Sequence, residues 1–179
     1  IAGDGVNYVN AARALEGNNF RAALWEGGLN IYLVILMLLH RSGLDWETAA
    51  TLCGVTISCL VVLPLWGWVR RQFDDRVALV ACLLYVVHPK FIMEGPELMR
   101  DPTFWFFFIL AIYWLWRAVT EVRYGWFIAS GAAITLASLT RIEGLLLLVP
   151  LFLWTFWRWL ALETGRWKLL AGAVLCVGV

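Results

Sequence analysis

Apolar residues in this chain come in long blocks rather than alternating with polar ones: Thr48–Val69, Val77–Val87, Thr103–Trp116, Gly125–Thr140, Gly144–Trp157 and Leu169–Val179. Such blocks predict membrane-crossing helices. Those shorter than the ~20 residues that cross a bilayer unaided need flanking residues or tilted neighbours to complete them. The expected fold class is all-α, a polytopic transmembrane helix bundle of about six spans over residues 48–179. Residues 1–47 read differently. Val6, Val9, Ala12 and Leu15, with Tyr8, recur at helical spacing, and Phe20, Leu24 and Trp25 form a second short apolar face. These predict amphipathic juxtamembrane helices lying on the membrane surface, separated by the turn residues Gly17-Asn18-Asn19. Leu29–Leu39 is nearly all apolar but only eleven residues long. It is bounded by Gly27-Gly28 and His40-Arg41-Ser42-Gly43, and it predicts a short helix that does not cross.

Charge at the ends of the blocks gives an orientation. If Leu29–Leu39 does not cross, one side carries Arg70, Arg71 and Arg76, then Arg117 and Arg123, then Arg158, Arg166 and Lys168. The other side carries Arg13, Arg21, Arg41, Lys90, Arg100 and Arg141 over much longer segments. The denser side is assigned to the cytoplasm by the positive-inside rule. Residues 1–47, 88–102 and 140–144 then share the non-cytoplasmic face.

Composition fits a membrane protein: 62% of the 179 residues are hydrophobic and 15% charged, too little polar surface for a soluble domain. Twelve tryptophans suit interfacial belts. A net charge of +1 implies no nucleic-acid partner. Cys53, Cys59, Cys82 and Cys176 lie in apolar blocks without metal-ligand spacing, so buried packing is expected of all four. The first residue is not Met, and the last lies in an apolar run. The chain therefore reads as a fragment, expected to be inactive alone.

Three polar groups gather on the non-cytoplasmic face under this topology: Asp4 in Asp4-Gly5-Val6-Asn7-Tyr8, the loop Glu94–Pro102 with Glu97 and Asp101, and Arg141-Ile142-Glu143 between two apolar blocks. Charge at a membrane boundary is costly to desolvate and is retained where it binds or reacts. Each has a structural reading beside the functional one. Asp101 before Pro102 is placed to cap the following helix, Arg141 and Glu143 to hold a hairpin in the headgroups, and Asp4 to be a solvated loop acid. His40 and His88 read as polar helix ends rather than ligands.

The order of these features is more informative than any one of them. An acid at the chain start precedes amphipathic helices and a short apolar helix. A span then ends in Arg70-Arg71-Gln72-Phe73-Asp74-Asp75-Arg76, a short span ends in Pro89, and an acid opens the next span. A later hairpin reads Leu139-Thr140-Arg141-Ile142-Glu143-Gly144. This order resembles the GT-C superfamily of membrane glycosyltransferases, in the branch of protein O-mannosyltransferases and the bacterial aminoarabinose transferase. The likeness covers nearly the whole chain, with one departure: the family's His-Pro-Pro-Leu before the short helix reads Glu26-Gly27-Gly28-Leu29 here.

The resemblance implies an enzyme that moves a sugar from a polyprenyl- or dolichyl-phosphate donor to an acceptor hydroxyl with inversion. The site would lie on the non-cytoplasmic side, with the bacterial inner membrane favoured over the endoplasmic reticulum. It implies Asp4 as base or acceptor-orienting acid, Glu97 or Asp101 as second acid, and Arg141 beside the lipid phosphate, where a guanidinium makes bidentate contacts. Glu143 accompanies Arg141, and Tyr8 and Lys90 line the site. A divalent metal is compatible with these acids, but carboxylates alone do not select one. The sugar, acceptor and polyprenol are not legible. A transporter or structural membrane subunit is the alternative, though no internal repeat and no ionisable residue at the span centres supports it.

Overall fold

The computed structural model describes residues 3–28, 30–161 and 166–179, with the backbone alone at residues 3, 4 and 166. The described residues form helices and connecting turns, with no strand among them. In chain order they are α1 (Gly3–Glu16), α2 (Phe20–Gly27), α3 (Ile31–Arg41), α4 (Trp46–Leu60), α5 (Val62–Gln72), α6 (Asp75–Val87), α7 (Pro89–Glu94), α8 (Asp101–Glu121) and α9 (Tyr124–Thr140). A 3₁₀ stretch, Ile142–Leu147, runs into α10 (Leu148–Ala161), and α11 is Arg166–Val177. Each apolar block of the sequence lies largely within helix, so the all-α expectation holds.

Three helical stretches are long and apolar enough to cross a bilayer: Trp46–Gln72, Asp101–Glu121 and Ile142–Ala161. Ile31–Arg41, Tyr124–Thr140 and Trp167–Val177 are shorter apolar helices. Rows of large apolar side chains face outward on α6 (Leu79, Val80, Leu83, Leu84) and α10 (Phe152, Leu153, Phe156, Trp157). In water this surface would aggregate; in lipid it is the expected exterior. The protein is an integral membrane protein.

Local sequence explains the breaks. Pro64 has no N–H to return to Leu60, and the first long stretch divides around Val61 into α4 and α5. Asn30 begins α3 by accepting the Tyr32 N–H at 3.0 Å, and Asp45 begins α4 by accepting that of Thr48 at 2.9 Å. The short apolar helix thus runs from Ile31, while the expected first residue, Leu29, lies outside the described residues. His40 and His88 do lie at helix ends. His40 stacks on Trp46 with centroids 4.0 Å apart and contacts the Leu44 carbonyl at 2.7 Å. His88 joins α6 to α7. The cysteine expectation needs one correction: Cys53, Cys82 and Cys176 are buried, but Cys59 is exposed. It falls on the outward side of α4, where an apolar thiol can face lipid as readily as a core.

Two packed clusters organise the bundle. In one, α8, α9, α10 and α11 meet around Leu115, Val119, Phe127, Ile134, Leu151 and Leu169. The buried face of α9 recurs at helical spacing as Phe127, Ser130, Gly131, Ile134 and Ala137. Its small residues let backbones approach, as membrane helix packing requires. A Cβ on Gly131 would overlap the Cys176 carbonyl of α11, and the Ser130 hydroxyl donates to the Ala111 carbonyl of α8 at 3.2 Å. In the second cluster, α1, α3 and α4 meet around Tyr8, Ala12, Tyr32, Leu36, Ala50 and Cys53, with Leu98 packed against them. This cluster docks the N-terminal helices onto the same end of the bundle as the 95–100 loop.

Candidate active site

Two charged networks stand at opposite ends of α8, a helix about 30 Å long by its 1.5 Å rise per residue. At its C-terminal end Glu121 accepts from Arg117 Nε at 2.8 Å, from Arg71 Nη1 at 3.4 Å and from Trp126 Nε1 at 2.9 Å. That network ties together the end of α5, the end of α8 and the start of α9. At the N-terminal end of α8 stands the group that could do chemistry.

There Arg141, the residue after α9, is extended, and its N–H closes α9 by donating to the Ala137 carbonyl at 2.8 Å. Its guanidinium turns to α8, where Nη1 donates to Asp101 Oδ1. Its Nη2 donates to Glu143 Oε1 at 3.1 Å, and its Nε lies 3.5 Å from Glu143 Oε2. The ring of Phe104, one turn into α8, lies 5.9 Å from the guanidinium carbon. Hydrogen bonding to Glu143, followed by the charge of Asp101, holds Arg141 above its ordinary pKa, so it remains a cation at every working pH.

Two backbone constraints build this group. The hairpin folds back onto α9 so closely that a Cβ on Gly144 would stand 2.5 Å from the Ser138 nitrogen and 2.7 Å from the Ala137 carbonyl carbon. Only glycine permits that turn. On the other side the 95–100 loop is pinned to α4. A Cβ on Gly54 would overlap the Gly95 carbonyl, and Thr51 Oγ1 donates to the Pro96 carbonyl at 3.3 Å. The loop is thereby held so that α8 starts at Asp101 beside the hairpin.

The structure corrects the reading of Asp101 as a helix cap. The N-cap of α8 is Arg100, no side chain caps the helix, and Asp101 is its first residue, with its carboxylate on Arg141. A further cation, not singled out by the sequence, stands beside this group. The Arg100 guanidinium lies 5.6 Å from the ring centre of Tyr8, and Arg100 immediately precedes Asp101. Its adjacency to Asp101 was the only signal in the sequence.

Of the expected residues, Asp101, Arg141 and Glu143 come together, with Tyr8 at the edge through Arg100. Tyr8 is buried edge-on against Tyr32, with centroids 5.9 Å apart. Glu97 is exposed on the loop, and among the described residues no hydrogen bond or ion pair joins its side chain to the group. Lys90 pairs instead with Glu94, 3.8 Å away on α7. Asp4 lies in α1 one turn before Tyr8 by its backbone, and its side chain is outside the described residues. Among the described residues no three His, Cys, Asp or Glu side chains gather as a metal site would require.

A family model described as dolichyl-phosphate-mannose-protein mannosyltransferase matches residues 29–179. The chain belongs to this family. It is therefore a membrane glycosyltransferase sequence of the GT-C type, and the transporter alternative falls away. The family match covers α3 to α11, and with them Asp101, Arg141 and Glu143, but stops short of Asp4 and Tyr8. Neither a curated protein nor a solved structure matches the chain.

Proposed function

We propose that the full-length protein transfers a sugar from a polyprenyl- or dolichyl-phosphate carrier to an acceptor hydroxyl on the non-cytoplasmic face. The observation that carries this is the Asp101–Arg141–Glu143 group, set at one end of the bundle where a lipid-borne headgroup would lie. The family's description, which names dolichyl-phosphate mannose, supports the donor class.

The chemistry asks little of the protein beyond position and charge. The acceptor oxygen attacks the anomeric carbon, the bond from that carbon to the phosphate oxygen breaks, and the lipid phosphate leaves with the electron pair. A base removes the acceptor proton, and cations offset the charge growing on the phosphate. Direct displacement inverts the anomeric carbon. Asp4 is the proposed base or acceptor-orienting acid, from its place in α1 on the turn before Tyr8. Asp101 is the proposed second acid, ahead of Glu97, because it alone of the two is drawn into the group by Arg141. Arg141, its plane fixed by Glu143, is proposed to sit beside the donor phosphate, and Tyr8 borders the site.

The experiment is the transfer rate of full-length Asp101→Asn and Glu97→Gln. Losing an orienting acid costs about 10²-fold or more, so Asp101→Asn should fall by that much while Glu97→Gln stays within a few-fold of wild type. The reverse ranking would remove Asp101 from the proposed role.

A further inference from the structure

Three of the five N–H donors of Arg141 face carboxylates before any substrate arrives. A guanidinium has five N–H donors in a fixed fork. Here Nη1 serves Asp101, while Nη2 and Nε face the two oxygens of Glu143. Two carboxylates on one guanidinium leave the trio with a net charge of −1, which repels a phosphate. A donor phosphate therefore needs a second cation at this end of the bundle.

Lys90 does not supply it, because Lys90 is paired with Glu94 on α7. Arg100 is differently placed. Among the described residues no carboxylate lies within ion-pair distance of it, and its guanidinium lies over the face of Tyr8 at 5.6 Å. A ring face attracts a guanidinium without consuming its in-plane donors, so the fork stays available for bidentate contact with an anion. Arg100 is also firmly carried. Its carbonyl accepts the Phe104 N–H at 3.1 Å as the first bond of α8, and Leu98 two residues earlier is packed among α1, α3 and α4. Arg100 thus offsets the trio's excess negative charge, and among the described residues none of its donors is engaged by a carboxylate.

We infer that Arg100 is the principal contact for the donor phosphate, and that Arg141 is chiefly a positioning residue that holds Asp101 and the hairpin in register. The inference rests on the proposed lipid-phosphate donor and divides the labour between the two arginines of that site.

The test uses full-length protein in nanodiscs, polyprenyl-phosphate mannose as varied donor and polyprenyl phosphate as product inhibitor. Arg100→Gln should raise both the donor KM and the product inhibition constant by about tenfold or more, the worth of one charge-assisted contact. Arg100→Lys should recover part of the loss. Arg141→Lys keeps the charge but cannot span two carboxylates, so it should lower kcat while leaving donor KM within about threefold. If Arg100→Gln turns over too slowly to measure, direct binding of polyprenyl phosphate decides, weakened about tenfold under the inference. Wild-type KM or unchanged product binding in Arg100→Gln, or a KM defect confined to Arg141→Lys, would overturn it. A wild-type protein that releases no polyprenyl phosphate would instead defeat the donor assignment on which it rests.

Discussion

Replacing Gly144 by alanine perturbs the site through its backbone alone, leaving every charged group in the sequence. The added Cβ would stand 2.5 Å from the Ser138 nitrogen, 2.7 Å from the Ala137 carbonyl carbon and 2.8 Å from the Ser138 Cα. Comfortable contact needs roughly 3.5–4.0 Å, and the obstructing atoms are backbone in the last turns of α9, so no side chain can rotate aside. The hairpin must therefore lift by about 1 Å. Overpacking of this kind costs roughly 1–3 kcal/mol. The same movement carries Glu143 and the Arg141 carbonyl, which the Gly144 N–H holds at 2.9 Å, away from α8. A displacement of about 1 Å at a reacting group can cost on the order of 10²-fold in rate. Full-length Gly144→Ala should thus lose transfer activity by more than its modest loss of thermal stability would explain. Gly125→Ala is the control: a Cβ there meets nothing within 4 Å, so rate and stability should both hold. If Gly144→Ala matched wild type in both, the hairpin would not be set by this contact and the site's geometry would need another cause.

Full-length Asp4→Asn should lose transfer by about 10²–10⁴-fold while still inserting in the membrane, since a lost base affects rate far more than fold. Activity within a few-fold of wild type would make Asp4 a simple helix-terminal acid. Single cysteines introduced as Gln72→Cys and Glu97→Cys in a Cys-free background should divide by side, with only the second labelled by an impermeant reagent from outside. Labelling of the first alone would invert the orientation.

The fold was legible because apolar blocks bounded by Asp, Asn, Pro and Gly leave a helix few other options in lipid, and the described helices follow those blocks closely. The division of the first long stretch near Pro64 could have been read from the missing N–H. The exposed Cys59 could not, since an apolar block does not say which of its faces meets lipid and which meets protein. At the site, the sequence put Asp101, Arg141 and Glu143 forward as candidates, but no spacing rule joins residues 40 positions apart, and only the fold shows one guanidinium serving both acids. In the sequence Arg100 is one more loop cation. Its distinction is its place beside Asp101 and over the Tyr8 ring with no carboxylate within ion-pair distance among the described residues, a property of the packed site. The reasons for Gly54 and Gly144 were equally hidden, because each answers to a backbone that the sequence does not place beside it.

In the proposed reaction the sugar arrives on a lipid phosphate. The direct measurement is release of polyprenyl phosphate by full-length protein in nanodiscs given radiolabelled polyprenyl-phosphate mannose and, separately, the matching nucleotide sugar. Polyprenyl phosphate should form only from the lipid donor, in step with acceptor labelling, and Asp101→Asn should abolish both signals together. Acceptor labelling from the nucleotide sugar, with none from the lipid donor, would contradict the account.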